Sequence, residues 1–162
     1  MPAGPAPSGG AGQGEALGRS QGGFSTKVHL RAEGGGKPIT FVLTGGERHE
    51  SRMLPALLSR GGVRRPGRGR PRLRPRRVVG DKAYTGRPVR SFLRRRGIGA
   101  VIPTQKGEPR RLAFDRQAYR ERNRVERLIN RLKQFRRIAT RYEKRAVNYA
   151  AMLTIGMSLL WL

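Results

Sequence analysis

From Phe24 onward, apolar and polar positions alternate. Phe24, Thr26, Val28 and Leu30 fall at every second residue, which predicts a strand over FSTKVHLRAE, 24–33. EGGGKP reads as a turn. PITFVLTGG, 38–46, reads as a second strand, and the short connection makes the pair a hairpin. ESRMLPALLSR, 50–60, has the spacing of a short helix, with Pro55 disturbing it. VVGDKAY starts as a short apolar strand that ends near Asp81. GRPVRSFLRRRG follows as a helix with Gly97 as its C-cap, and GAVIPT as another apolar strand ended by Pro103. Residues 116–138 predict one long helix and 144–162 a last one. The order β-β-α-β-α-β-α-α, a hairpin followed by alternation, predicts an α/β fold with a sheet of mixed direction.

Residues 1–23 have almost nothing to bury and read as a disordered Gly/Pro/Ala-rich segment. Residues 24–162 suit one domain with a core confined to a few segments. Within them, residues 60–77 hold nine arginines and no acid, which predicts a flexible, positively charged loop. The whole chain carries a formal net charge of +26, and only six of its 36 basic residues are lysine. A charge of that size favours a polyanionic partner, DNA or RNA. There is no cysteine, which excludes disulfides and cysteine-based zinc sites. The apolar stretch from Ala146 to Leu162 carries Asn148, Thr154 and Ser158 and reads as a buried helix, with Tyr149, Met152, Ile155, Leu159 and Leu162 on its inner face and Met157 and Leu160 extending the apolar surface around it. The expected compartment is the cytoplasm, without a membrane partner.

On the long helix, Tyr119, Arg122, Glu126 and Lys133 share an arc of about 60° at helical periodicity. Leu128, Val125, Leu132 and Ile129 form the neighbouring apolar stripe. Glu126 therefore stands at the margin of the buried face, either in an i,i−4 ion pair with Arg122 or aimed at a metal. Asp81 ends a strand, where functional groups of α/β sheets collect, although a turn or N-cap aspartate reads the same way. Two carboxylates converging on magnesium are common in phosphoryl chemistry. His29 and His49 are read as structural.

At these residues the chain resembles a known family. Tyr119, Arg122, Glu126 and Lys133 match the Y-x2-R-x3-E-x6-K signature of bacterial insertion-sequence transposases of the DDE class. GDKAY around Asp81 resembles the segment that holds the family's second catalytic aspartate. The resemblance covers roughly residues 15–162. It implies an RNase H-like mixed sheet with flanking helices, and three carboxylates holding Mg2+ (or Mn2+) for in-line attack on a phosphodiester. Asp81 is then the second acid and Glu126 the third, both metal ligands. Lys133, Arg122 and Tyr119 would serve bound DNA, as would Arg64, Arg65, Arg68 and Arg70 of the basic loop.

The family's first aspartate lies on a first strand, ahead of the glycine-rich GRS-GG segment. Here only Met1 to Leu17 precede that segment, with Glu15 as their one acid. The resemblance thus implies a catalytic domain without its first strand, inactive as an isolated chain. An upstream reading-frame product joined by frameshifting would supply the missing aspartate; a truncated remnant is the other reading. The implied partners are DNA, as element ends and target, and a second copy in a homodimer. A non-catalytic nucleic-acid-binding protein or a regulatory remnant of a transposase remains the alternative function.

Overall fold

The computed structural model describes residues 14–20, 23–63, 67–108 and 114–162. Strand β1 (Gly18–Ser20) runs antiparallel to the start of β2 (Gly23–Ala32), and β2 runs antiparallel to β3 (Pro38–Gly45). A 3₁₀ turn over Glu50–Met53 leads into helix α1 (Leu54–Ser59). Strand β4 (Arg77–Val79), helix α2 (Arg87–Arg95) and strand β5 (Gly99–Val101) form a β-α-β unit with parallel strands. Helices α3 (Arg116–Arg120), α4 (Asn123–Lys133), α5 (Arg136–Ala139) and α6 (Ala146–Leu159) complete the chain. The mixed α/β class follows from this order, with strand pairing in both directions.

Alternation along the strands sorts the side chains into two cores. Val28, Leu30, Phe41 and Leu43 lie against Leu128, Leu132, Tyr149 and Leu153 of α4 and α6. Val78 and Ala100 lie with Leu54 and Leu58 of α1, Val89 and Leu93 of α2, and Ile102. Each deeply buried leucine removes enough apolar surface to contribute about 1.5–3 kcal/mol. Among the described residues, β1–β3 and β4–β5 do not pair with each other. A cleft separates them.

Several elements depart from the sequence expectations for physical reasons. Regular structure begins ahead of Phe24: β1 pairs Gly18 with Ser25, and Phe24 itself is 76% exposed. Pro55 does not disturb α1 but opens it, in the first turn where its missing N–H costs nothing. The long helix is jointed. Between α3 and α4, Arg124 and Val125 donate to carbonyls three residues back, at 3.0 and 2.9 Å, which tightens the turn. That joint is held by Arg77, which grips both carboxylate oxygens of Glu121 at 3.0 and 2.9 Å. A second joint comes at Phe135, whose extended backbone turns the chain into α5.

The last helix is buried on a face that agrees with the expected one at Tyr149 and departs from it further along. Tyr149, Leu153, Gly156, Met157 and Leu160 are inside, whereas Ile155, Leu159 and Leu162 are exposed. Apolar residues surround this helix on every side, so periodicity could not choose a face. Two particular contacts choose it. The Tyr149 hydroxyl donates to the Ile138 carbonyl at 2.8 Å. Gly156 leaves room for Ile138, whose Cδ1 would lie 2.5 Å from any added Cβ. Arg145 gives the helix no N-terminal side-chain cap; the Glu15 carboxylate supplies one, accepting from the Ala146 N–H at 2.5 Å.

Candidate active-site cleft

The cleft, about 690 Å³, is walled by residues 27–34 of β2 and the turn after it and by residues 75–81 through β4. Leu54, Leu57 and Leu58 of α1 line one side, and Val125, Glu126 and Ile129 of α4 another. The directions of the two walls follow from contacts along them. Lys27, midway along β2, pairs with Glu50 at 2.8 Å, and the charges of Glu50 and Asp81 both act on Tyr84, just beyond β4. Arg31, near the end of β2, donates to the Leu73 carbonyl ahead of β4 at 3.0 Å. From Lys27 to Arg31 the contacts thus pass from residues beyond β4 to residues ahead of it, opposite to the direction of β4.

Asp81 and Glu126 both border this cleft. Asp81 follows β4 directly, and its Oδ1 accepts from the Ala83 N–H at 3.0 Å, capping a short 3₁₀ turn over Lys82–Tyr84. Glu126 lies in the first turn of α4, and its carboxylate meets Arg122 at 2.7 Å. That contact is the i,i+4 ion pair, half exposed and worth a few tenths of a kcal/mol. The Arg122 guanidinium also lies over the Tyr119 ring, 5.5 Å from its centroid, and Tyr119 packs on Phe114. Arg122 lines the cleft with Glu126, but Tyr119 and Lys133 are not among its lining residues. The joint between α3 and α4 breaks the straight-helix alignment on which the four-residue arc rested.

A family model for the transposase DDE domain matches residues 5–161, nearly the whole chain. The chain belongs to the DDE transposase family. It is 33% identical over 135 residues to a protein named as a transposase for insertion sequence element IS402 of Burkholderia cepacia, a match covering 83% of this chain and 62% of that relative. It is 28% identical over 143 residues to one named for element IS6501 of Brucella ovis, covering 86% of this chain and 99% of the relative. The chain therefore belongs with the bacterial insertion-sequence transposases of the DDE class. No solved structure matches it.

The polar face of β2 brings Lys27 and Arg31, which the sequence reading had not singled out, to the cleft of this transposase domain beside His29, read there as structural. Lys27, His29 and Arg31 alternate with Val28 and Leu30, and that polar alternation was visible beside the apolar one. His29 is 2% exposed and shares a 2.8 Å hydrogen bond with Thr44. Burial holds its imidazole below the usual value; the Glu50 charge opposes this and Lys27 adds to it. Burial also works against ionisation of Glu50, but the hydrogen bond and charge of Lys27 outweigh it and hold that carboxyl low. Tyr84 is pushed up to about 12, by burial first and then by the charges of Asp81 and Glu50. His49 caps the 3₁₀ turn after β3, accepting from the Ser51 N–H at 3.4 Å.

The basic loop is more constrained than its composition suggests. Arg31 donates to the carbonyls of Leu57, Arg60 and Gly61 on one stem and of Leu73 on the other, at 3.0–3.3 Å. Val63 and Arg72 exchange both backbone hydrogen bonds, at 3.0 and 2.8 Å. Arg68 and Arg70 project into solvent from this braced loop, and Arg72 and Arg76 face the cleft. Arg64 and Arg65 lie outside the described residues. Among the described residues, no three histidine or acidic side chains stand close enough to hold one metal ion. No helix there is long and apolar enough to cross a membrane.

Proposed function

We propose that this chain carries the second and third carboxylates of an RNase H-like transposase active site, Asp81 and Glu126. The observation that supports this most is their common position on one cleft, one at a strand end and the other on the facing helix. Their hard oxygen donors fit Mg2+ or Mn2+. A bound pair of such ions would activate the attacking oxygen and stabilise the leaving one. The chain's own part is positioning. Asp81 is oriented by the Ala83 N–H, and Glu126 by Arg122. Arg122 and Lys133 contact DNA phosphate near the cut, Tyr119 supports the site or the bound strand, and the loop arginines Arg64, Arg65, Arg68 and Arg70 bind DNA.

The chemistry is two successive displacements at phosphorus. Water attacks a phosphodiester at the element end, the bond to the 3′-oxygen breaks, and that oxygen takes up a proton. The freed 3′-hydroxyl then attacks a target phosphodiester, loses its proton, and expels another 3′-oxygen. A third carboxylate would complete the site. The protein works on DNA in the bacterial cytoplasm. Asp81 and Glu126 by themselves are too few ligands to place two ions, so the isolated chain is expected to bind DNA without cutting it.

A strand-cleavage assay on the element's own ends, with Mg2+ or Mn2+, tests this reading. It compares this chain, a version extended upstream, and the extended version carrying Glu126→Gln. Only the second is expected to cleave. Cleavage by the isolated chain that is lost in Asp81→Asn would place the third ligand within these 162 residues. No cleavage by any of the three would favour a DNA-binding regulator.

A further inference from the structure

The arginine-rich loop ends in a tip that the protein holds out but does not itself use. Arg31 and the Val63–Arg72 pair brace its stems, and residues 67–72 are all exposed. Arginines further along are engaged on the protein. Arg74 donates to the Arg96 carbonyl at 3.2 Å, and Arg77 grips Glu121. Among the described residues, neither an acid nor a carbonyl engages the Arg68 or Arg70 guanidinium.

The backbone around these two arginines is bare. Gly67 and Gly69 have φ of +86° and +138°, conformations that glycine takes at little cost. A Cβ at either would meet nothing within 4 Å, so close packing within the described protein does not account for the missing side chains. Pro71 follows, with a fixed φ and no N–H. Gly67-Arg68-Gly69-Arg70-Pro71 is thus a thin ridge whose only long side chains are two arginines.

We propose that residues 67–71 are a minor-groove reader, which inserts Arg68 and Arg70 into the narrow groove of A·T-rich duplex DNA. Narrowness selects this ligand. A minor groove about 6 Å wide admits a backbone stripped of side chains on either side of the inserted arginine. A·T tracts narrow the groove further and strengthen its negative potential, which draws arginine in. A G·C pair instead places the guanine N2 amino group in the groove, a donor facing the donors of arginine. Phosphates alone do not call for such a ridge, since long basic side chains reach them from backbones of any kind. The Cα atoms of Arg68 and Arg70 are at most about 7 Å apart, which spans about two base-pair steps. Duplex RNA does not suit the tip, because its minor groove is wide and shallow.

Arg72, two residues from Arg70, lines the cleft. A duplex gripped by the tip therefore lies at the mouth of the cleft. Its A·T preference then falls on base pairs beside the bond that is cut, a point that rests on the transposase reading, whereas groove binding needs only duplex DNA.

The test offers the full chain three labelled duplexes of equal length at roughly 0.15 M salt. Their central pairs are A·T, G·C, or I·C, with inosine replacing guanine. Inosine removes the N2 amino group from the minor groove and leaves the major-groove pattern of G·C in place. The A·T duplex should bind about tenfold tighter than the G·C duplex, and the I·C duplex should follow the A·T one. Changing Arg68→Lys and Arg70→Lys together keeps the charge but replaces the planar guanidinium with a more strongly hydrated ammonium, and should remove most of the preference. Equal binding of A·T and G·C duplexes, each falling steeply with salt, overturns the groove reader and leaves DNA binding standing. An I·C duplex that follows the G·C one moves the readout to the major groove and also overturns it. A preference kept in full by the double lysine variant overturns the assignment to Arg68 and Arg70. No saturable binding of any duplex at roughly 50 mM salt overturns the groove reader and the DNA-binding reading together.

Discussion

At the scale of single residues, the two carboxylates proposed for the site are each held by a neighbour close to it in the chain. Glu126 has Arg122 one turn before it, and Asp81 has the Ala83 amide two residues on. Both contacts also suit an ordinary ion pair and an ordinary cap, which is why local spacing alone left their roles open. His29 is a different case, a histidine kept neutral by burial on the polar face of β2. Its folded-state value lies below the 6.5 of an unperturbed imidazole, so the unfolded chain binds more protons in the window beneath it. Stability from this group is complete above about pH 6.5 and declines as acid forces the buried ring to charge. Denaturant midpoints measured downward from that pH should fall, and His29→Gln, which keeps a donor for Thr44, should flatten the decline. An identical slope in the variant would mean that other groups set the acid response.

At the scale of elements, the hairpin and the β-α-β unit were readable because their apolar periods and turn residues agree. Elsewhere the deciding contacts are long-range or periodicity is uninformative. Helix α6 is apolar on every side, so its buried face was set by Tyr149 and Gly156 meeting Ile138, contacts that no periodicity encodes. The joint before α4 depends on Arg77, some 44 residues from its partner Glu121. Glu15 looked like a stray acid in a structureless segment, yet it closes the amino end of a helix 131 residues later. A carboxylate there meets free N–H groups and the positive end of the helix dipole. Glu15→Ala should therefore lower stability by about 1 kcal/mol, within the range for lost N-caps. A thermal melt unchanged from the parent protein would show that Ala146 finds another acceptor.

For the whole molecule, charge dominates what the protein meets first. Its net charge is +26, and the arginine-rich loop that Arg31 braces brings part of that charge to the cleft wall. If the protein contacts about 6–10 phosphates, DNA affinity should fall by roughly 10³–10⁵ between 50 and 200 mM salt. Replacing Arg68, Arg70, Arg72 and Arg74 with glutamine should reduce the log–log slope of that decline by about 0.9 for each phosphate they neutralise. An unchanged slope would mean that these arginines are only solvated. The sequence could show the charge and the two acids. It could not show that the acids stand on one cleft, because that depends on how two sheets and a jointed helix are arranged.

The most direct test of the shared site is a Mn2+ titration of the full chain and of Asp81→Asn, Glu126→Gln and the double variant. If the two carboxylates hold one ion, either single change removes the same binding event and the double change costs no more than the worse single. Losses that simply add, or an affinity that neither change alters, would show that Asp81 and Glu126 do not act together.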